Sequence, residues 1–197
     1  MRLVDEEGLT MIHPSDDLAI IAGQGTIGLE IVEALPDVAT VLIALGSGGL
    51  SSGVAAAIKG LRPQARVFGV SMDRGAAMKA SLEAGHPVEV EEFTSLADAL
   101  CGGIGIPNKH AFSACQELLD DIILVTEEEI ATGIRHAYER EGEVLEGAGA
   151  VGMAALLSGK VPPSSGPLVS IISGGNIDES LHGRVIGGEF NDKRVSV

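Results

Sequence analysis

Glycine and serine residues follow an apolar run at a spacing that could bind a phosphate group. Residues 41–45 show no polar alternation, which predicts a strand buried on both faces. The residues after this run are Gly46, Ser47, Gly48, Gly49 and Leu50. An Ala-rich stretch typical of a helix comes next. Glycines let the backbone approach an anion, and the free N–H groups at a helix N-terminus attract it. The pattern indicates either a phosphate cradle or an ordinary tight βα connection.

A second turn of this kind follows the apolar residues 168–172. Its residues are Ser173, Gly174, Gly175 and Asn176. Ligands of parallel α/β sheets bind at the carboxyl ends of the strands, so both turns are expected at one edge. Two such turns favour a phosphate-bearing ligand. Further hydrogen-bond donors could come from the hydroxyls of Ser47, Ser51 and Ser52.

A third glycine pattern, Gly23-x-Gly25-x-x-Gly28, has the spacing of a dinucleotide-binding fingerprint. That fingerprint needs a buried strand before the glycines and an acidic residue after a second strand, and neither is evident here. We therefore interpret these glycines as part of the local geometry of a helix.

Apolar runs alternate with helical segments, which predicts an α/β fold with a mainly parallel sheet. Strands are expected at 41–45, 66–72, 122–125 and 168–172, and helices at 18–35, 75–84 and 111–119. Thr126 and Glu129 predict a capping box at the start of another helix. We divide the chain into an irregular lead-in (1–17), a ligand-binding portion (18–189) and a loose tail (190–197).

The net charge of −15 argues against nucleic acid or an anionic membrane as a partner. No apolar run is long enough to span a bilayer. The acidic N-terminus (Asp5, Glu6, Glu7) does not suit a signal peptide. Cys101 and Cys115 form no disulfide framework or metal motif, so we expect both to be packing residues of a cytoplasmic protein.

Taken together, the motifs resemble the large domain of fold-type II pyridoxal-phosphate enzymes. The resemblance covers about residues 8–188 and is greatest to threonine/serine dehydratases and serine racemase. Residues 70–78 and 95–98 are similar to dehydratase-like proteins of hydroxyectoine utilisation. The segments that carry the resemblance are 8–17, 21–26, the turn 46–50, Glu146-Gly147-Ala148-Gly149-Ala150 and the turn 173–176.

The resemblance implies a three-layer fold and a pyridoxal 5′-phosphate site. Main-chain N–H groups of residues 46–50 would hold the cofactor phosphate, and Ser173 would hydrogen-bond the pyridine nitrogen. Glu146, Ala99 and Asn176 would lie near the cofactor. Ala99 stands where the family usually has a glycine, and Glu146 could equally be a solvated residue at a helix end. The implied reaction is β-elimination of a small hydroxy amino acid to a 2-oxo acid and ammonia.

Two departures from the family pattern bear on activity. Ser71 and Ala77 replace the acidic residues of a divalent-cation site, and Mg²⁺ or Ca²⁺ needs oxygen ligands, so we predict no metal site. The Schiff-base lysine of the family's S-x-K segment is also missing, since no lysine here follows a serine in that pattern. The lysines are Lys59, Lys79, Lys109, Lys160 and Lys193.

We therefore expect a truncated dehydratase that lacks the N-terminal third and is inactive alone. Its partner would be a second copy in a homodimer or the missing N-terminal part. A non-catalytic module that binds a phosphorylated ligand or pairs with a complete homologue is the alternative, and a nucleotide-binding domain that uses residues 23–28 is a third reading. The substrate stays open among threonine, serine, hydroxyaspartate and an ectoine-derived amino acid.

Overall fold

Four parallel strands form the centre of the fold. The computed structural model describes residues 2–189. The strands are β1 (Thr40–Ala44), β2 (Arg66–Met72), β3 (Asp121–Val125) and β4 (Leu168–Ser170). They lie in the order β3-β2-β1-β4, and every neighbouring pair is parallel. The predicted α/β fold with a mainly parallel sheet is confirmed.

Eight α-helices connect and flank these strands in the described residues. They are α1 (Arg2–Glu7), α2 (Leu18–Ala34), α3 (Gly49–Leu61), α4 (Ala77–Ala84), α5 (His110–Leu118), α6 (Glu127–His136), α7 (Gly147–Leu157) and α8 (Glu179–Ile186). The capping box at the start of α6 is confirmed, because the Thr126 hydroxyl accepts the Glu129 N–H and the Glu129 carboxylate accepts the Thr126 N–H.

Alternate residues of β1 face two different helical layers. Leu42 and Ala44 belong to an apolar cluster that also contains residues of α6 and α7. Val41 and Ile43 belong to a second cluster with residues of α3, against which partly buried residues of α2 pack. The sheet is thus covered on both faces, and its centre is built from aliphatic side chains. This arrangement confirms the expected three layers.

The glycines at 23, 25 and 28 all lie inside α2, which packs along α3. A Cβ added to Gly28 would come within 2.7 Å of the Ala57 Cβ, and one added to Gly53 would collide with the Ile21 carbonyl oxygen. The two helices therefore approach so closely that their contact needs glycine. The interpretation of residues 23–28 as local helix geometry is confirmed.

The lead-in is more ordered than the sequence predicts. It contains the short helix α1, and its last residues make hydrogen bonds to the rest of the fold, because Asp16 and Asp17 accept main-chain N–H groups at helix starts. The expected tail at 190–197 lies outside the described residues. No helix among the described residues is long and apolar enough to cross a membrane.

Candidate functional site

A cavity of about 240 Å³ lies at the carboxyl end of β1. Its walls come from five separate stretches of chain, which confirms that the two glycine turns meet at one edge of the sheet. The lining residues are Pro14, Ser15, Ala44, Gly46, Ser47, Gly48, Gly49, Leu50, Ser51, Ala99, Leu100, Glu146, Ala148 and Ser173.

The N-terminus of α3 opens into this cavity. Gly48 precedes the helix with φ of +98°, a left-handed conformation that favours glycine. The Ser52 N–H donates to the Gly48 carbonyl at 2.9 Å, and the N–H groups before it lie at the open end of the helix. These groups carry the positive end of the helix dipole, so the position suits an anion.

Close packing around the turn leaves no room for side chains on its glycines. A Cβ on Gly49 would lie 2.8 Å from the Ser15 Cα, and one on Gly48 would lie 2.7 Å from the Met78 Cε. A Cβ on Gly46 would lie 3.2 Å from the Leu100 Cα. At these three glycines the turn therefore offers only backbone to the cavity, as a main-chain phosphate cradle requires.

Two of the three serine hydroxyls do not serve as free donors, which corrects the sequence-based expectation. The Ser51 hydroxyl donates to the Ala44 carbonyl at 2.9 Å, and the Ser52 hydroxyl donates to the Gly49 carbonyl at 3.1 Å. Each hydroxyl has one proton, so neither can also donate to a ligand. The Ser51 side chain instead ties the start of α3 to β1, and that of Ser52 bonds within the first turn of α3. Ser47 remains the half-buried candidate on the cavity wall.

Glu146 precedes α7 and is held against the second turn. Its Oε2 accepts the Asn176 N–H at 3.1 Å, and its own N–H donates to the Gly174 carbonyl at 3.3 Å. A Cβ on Gly174 would collide with the Glu146 carboxylate. Glu146 is thus a half-buried cavity residue at the start of α7, and its place near a cofactor stays a prediction.

Of the other residues expected near the cofactor, two line the cavity and one does not. Ala99 and Ser173 both line the cavity, and Ser173 is exposed to it. Asn176 lies beside the cavity but contacts it only through its main-chain hydrogen bond to Glu146, and its side chain is not part of the lining.

Sequence reasoning missed the wall formed by Pro14 and Ser15. Ser15 is buried against α3, and His13 Nδ1 accepts the Ser15 and Asp16 N–H groups at 3.2 Å and 2.8 Å. In the local sequence, the pair Asp16-Asp17 indicates the start of a helix, since aspartates favour helix N-caps. Asp17 does cap α2, but the helix that Asp16 caps begins 94 residues later. No local pattern could reveal that contact.

Neither cysteine has the character of a nucleophile. Burial raises the pKa of Cys115 to about 12, and its side chain lies in the apolar cluster with Met78 and Phe112. Burial and the nearby Glu127 and Asp98 carboxylates raise the pKa of Cys101. The expectation that Cys115 is a packing residue is confirmed.

No lysine among residues 2–189 lines the cavity. Lys59 pairs with Asp120, Lys79 with Glu83 and Lys160 with Glu129, each with a separation of 2.7 Å. Within the same residues, no group of three or more His, Cys, Asp or Glu side chains could hold a metal ion. The absence of a divalent-cation site stays a prediction.

The donor set fits a phosphate ester attached to a flat, partly apolar group. Main-chain N–H groups suit the phosphate, while Ala99, Leu100 and Ala148 offer an apolar wall. The Ser173 hydroxyl lies in the same cavity and could meet one ring heteroatom. These are the groups that pyridoxal phosphate requires from a protein, the covalent lysine excepted.

Comparisons with known proteins find threonine dehydratases that are similar over most of this chain. A Sinorhizobium fredii protein, provisionally named a threonine dehydratase, is 65% identical over 187 residues, which are 95% of this chain and 56% of that protein. The catabolic L-threonine dehydratase of Escherichia coli K12 is 43% identical over 188 residues, which are 94% of this chain and 56% of that enzyme. This chain therefore spans about half the length of the curated relatives it matches.

A solved structure shows the same fold. Maize serine racemase superposes with a TM-score of 0.85 at 30% sequence identity, over 96% of this chain and 59% of that one. The described fold is thus the large domain of a fold-type II enzyme, as the sequence predicts. Residues 1–174 match the family described as "Pyridoxal-phosphate dependent enzyme". Because this match extends over most of its length, the chain belongs to the pyridoxal-phosphate dependent enzyme family.

Proposed function

We propose that this chain is the cofactor-binding part of an ammonia-lyase that acts on a small hydroxy amino acid. Such an enzyme converts threonine or serine into a 2-oxo acid and ammonia. The observation that carries the proposal is the glycine-rich N-terminus of α3, which opens into the same cavity as Ser173 and Glu146. The dehydratase relatives support the substrate class.

The turn 46–50 would bind the cofactor phosphate through main-chain N–H groups. The free N–H groups and the dipole of α3 would neutralise the phosphate charge without any basic side chain, which suits a chain with a net charge of −15. Ala99 would lie against the ring, and its methyl group would displace water there. Glu146 would accept hydrogen bonds at the ring edge, with its carboxylate oriented by the Asn176 N–H.

Ser173 would hydrogen-bond the pyridine nitrogen. When bound, pyridoxal phosphate delocalises the charge left on the substrate α-carbon into its ring. A hydroxyl at the ring nitrogen, unlike a carboxylate, does not hold that nitrogen protonated, so the ring withdraws electrons less strongly. This setting suits β-elimination.

The described residues supply no lysine to the cavity, so we propose that a different polypeptide region supplies the covalent attachment and the general base. That region would be the portion of the relatives that this chain does not match. We propose a cytoplasmic protein that also pairs as a homodimer. We expect the chain alone to be inactive, and steady release of a 2-oxo acid from threonine by the pure chain would contradict this. A non-catalytic phosphate-binding module is the alternative, favoured by the same lack of a cavity lysine.

A calorimetric titration tests the binding part of this proposal. The ligand is pyridoxine 5′-phosphate, which has no aldehyde and so cannot react covalently with surface lysines. We expect saturable binding to the full chain and much weaker binding of unphosphorylated pyridoxine. Ser47→Asp places a negative charge at the cradle and should reduce the affinity by about tenfold or more through repulsion of the phosphate.

Ser47→Asn is the matched control, because it adds nearly the same volume without the charge. We expect it to bind within a few-fold of the wild type. Equal affinity of the Ser47→Asp and Ser47→Asn variants would show that the phosphate binds elsewhere. Binding of inorganic phosphate as tightly as pyridoxine 5′-phosphate would favour the non-catalytic module.

A further inference from the structure

One wall of the cavity belongs to the segment 13–17. Pro14 and Ser15 line the cavity, and Ser15 is only 7% exposed. The Ser15 Cα lies so close to Gly49 that a Cβ at position 49 would be 2.8 Å away. The wall therefore lies directly against the first turn of α3, where the free N–H groups are.

Asp16 attaches this wall to the N-terminus of α5. Its Oδ2 accepts the Lys109 N–H at 2.8 Å, and its Oδ1 accepts the His110 and Ala111 N–H groups at 2.7 Å and 3.0 Å. Burial raises the pKa of Asp16, but the three backbone hydrogen bonds outweigh it, so the pKa lies below its ordinary value. The carboxylate is ionised at neutral pH, which makes these bonds charge-assisted.

Asn108 attaches the cradle loop to the same helix end. Its Nδ2 donates to the Ser47 carbonyl at 3.2 Å and to the Ile104 carbonyl at 2.8 Å, and its Oδ1 accepts the Phe112 N–H at 2.8 Å. The side chain is 3% exposed, so these contacts are shielded from water. The two sides of the cavity mouth, Ser15 and Ser47, are thus both anchored to the start of α5.

We propose that Asp16 and Asn108 are positioning residues of the phosphate cradle. They hold Ser15 and Ser47 at a fixed separation through α5, and that separation determines how tightly the cradle binds a phosphate ester. The identity of the ester rests on the proposed function. Neither side chain lines the cavity, so both act through the residues that do.

The test compares Asp16→Ala with Asp17→Ala in the full chain. Both substitutions remove an aspartate cap, but Asp17 caps α2 through the Ala19 and Ile20 N–H groups and does not contact α5. We expect both variants to melt at a lower temperature. Only Asp16→Ala should weaken binding of pyridoxine 5′-phosphate, by about tenfold, because the wall is no longer held in place.

Two further variants keep the test decisive if Asp16→Ala does not fold. Asp16→Asn keeps acceptors for the His110 and Ala111 N–H groups, so its affinity should lie between those of the wild type and Asp16→Ala. Asn108→Ser retains a hydroxyl at the helix start but is too short to reach the Ser47 carbonyl, and it should weaken binding like Asp16→Ala.

Affinity of Asp16→Ala within about twofold of the wild type would overturn the inference and leave Asp16 as a helix cap alone. An equal loss of affinity in Asp17→Ala would overturn it as well, since general destabilisation would then be the cause. Failure of the wild type to bind pyridoxine 5′-phosphate would instead refute the proposed function, and the inference with it.

Discussion

At the scale of single residues, the sequence predicts the backbone features of the site better than its side-chain contacts. The turn at Gly48 and Gly49 could be predicted because an apolar run, glycines and an Ala-rich stretch indicate a strand, a turn and a helix, as β1 and α3 confirm. The hydrogen bond of the Ser51 hydroxyl could not be predicted, because its acceptor, the Ala44 carbonyl, becomes a neighbour only when β1 and α3 pack. The role of Asp16 could not be predicted either, since its hydrogen-bond partners at the start of α5 are distant in sequence.

The ionised state of Asp16 predicts a pH dependence of stability. Because the pKa of Asp16 is lowered in the folded chain, its stabilising effect is complete above the pKa of the unfolded chain, about 3.9, and is lost as the pH falls through the lower folded value. Urea unfolding of the wild type and Asp16→Ala between about pH 3 and pH 7 checks this. The difference in unfolding free energy should be constant near neutrality and shrink below about pH 4. A difference that stays constant or grows towards low pH would contradict it.

At the scale of elements, the α2–α3 pair positions the cradle. The two helices are in contact along their length, and α3 begins at the cavity. The predicted helix 18–35 agrees almost to the residue with α2, because Pro36 marks its end in the sequence. Its close packing on α3 was not predictable in detail, since a glycine in a helix can mark either a helix contact or a simple weakness.

Substitutions at two glycines of α2 distinguish a glycine needed for helix contact from one that only weakens the helix. Gly28→Ala should destabilise the chain by about 1–3 kcal/mol, because its Cβ would collide with Ala57 and with the Val54 carbonyl. Gly23→Ala should stabilise it by about 0.5–1 kcal/mol, since nothing lies within 4 Å and alanine favours the helix. Urea unfolding measures both. Equal effects of the two substitutions would contradict the close helix contact.

At the scale of the whole molecule, residues 2–189 enclose the cavity that we propose as a cofactor site, and no lysine among them lines it. The parallel sheet and three layers follow from alternating apolar runs and helices, which is why the fold could be predicted from local patterns. Ile172, two residues after β4 and directly before Ser173, is 48% exposed. A single exposed apolar residue is common at protein surfaces and does not by itself indicate an interface.

The measurement that most directly tests the central claim is an amide ¹H–¹⁵N spectrum of the full chain during addition of pyridoxine 5′-phosphate. The main-chain N–H groups at residues 46–51 should show the largest shifts, with smaller shifts near Ser173. The amides of residues 23–28 should stay unchanged, because those glycines pack inside α2. Shifts centred on residues 23–28, or none at the start of α3, would contradict the assignment of this turn as the phosphate cradle.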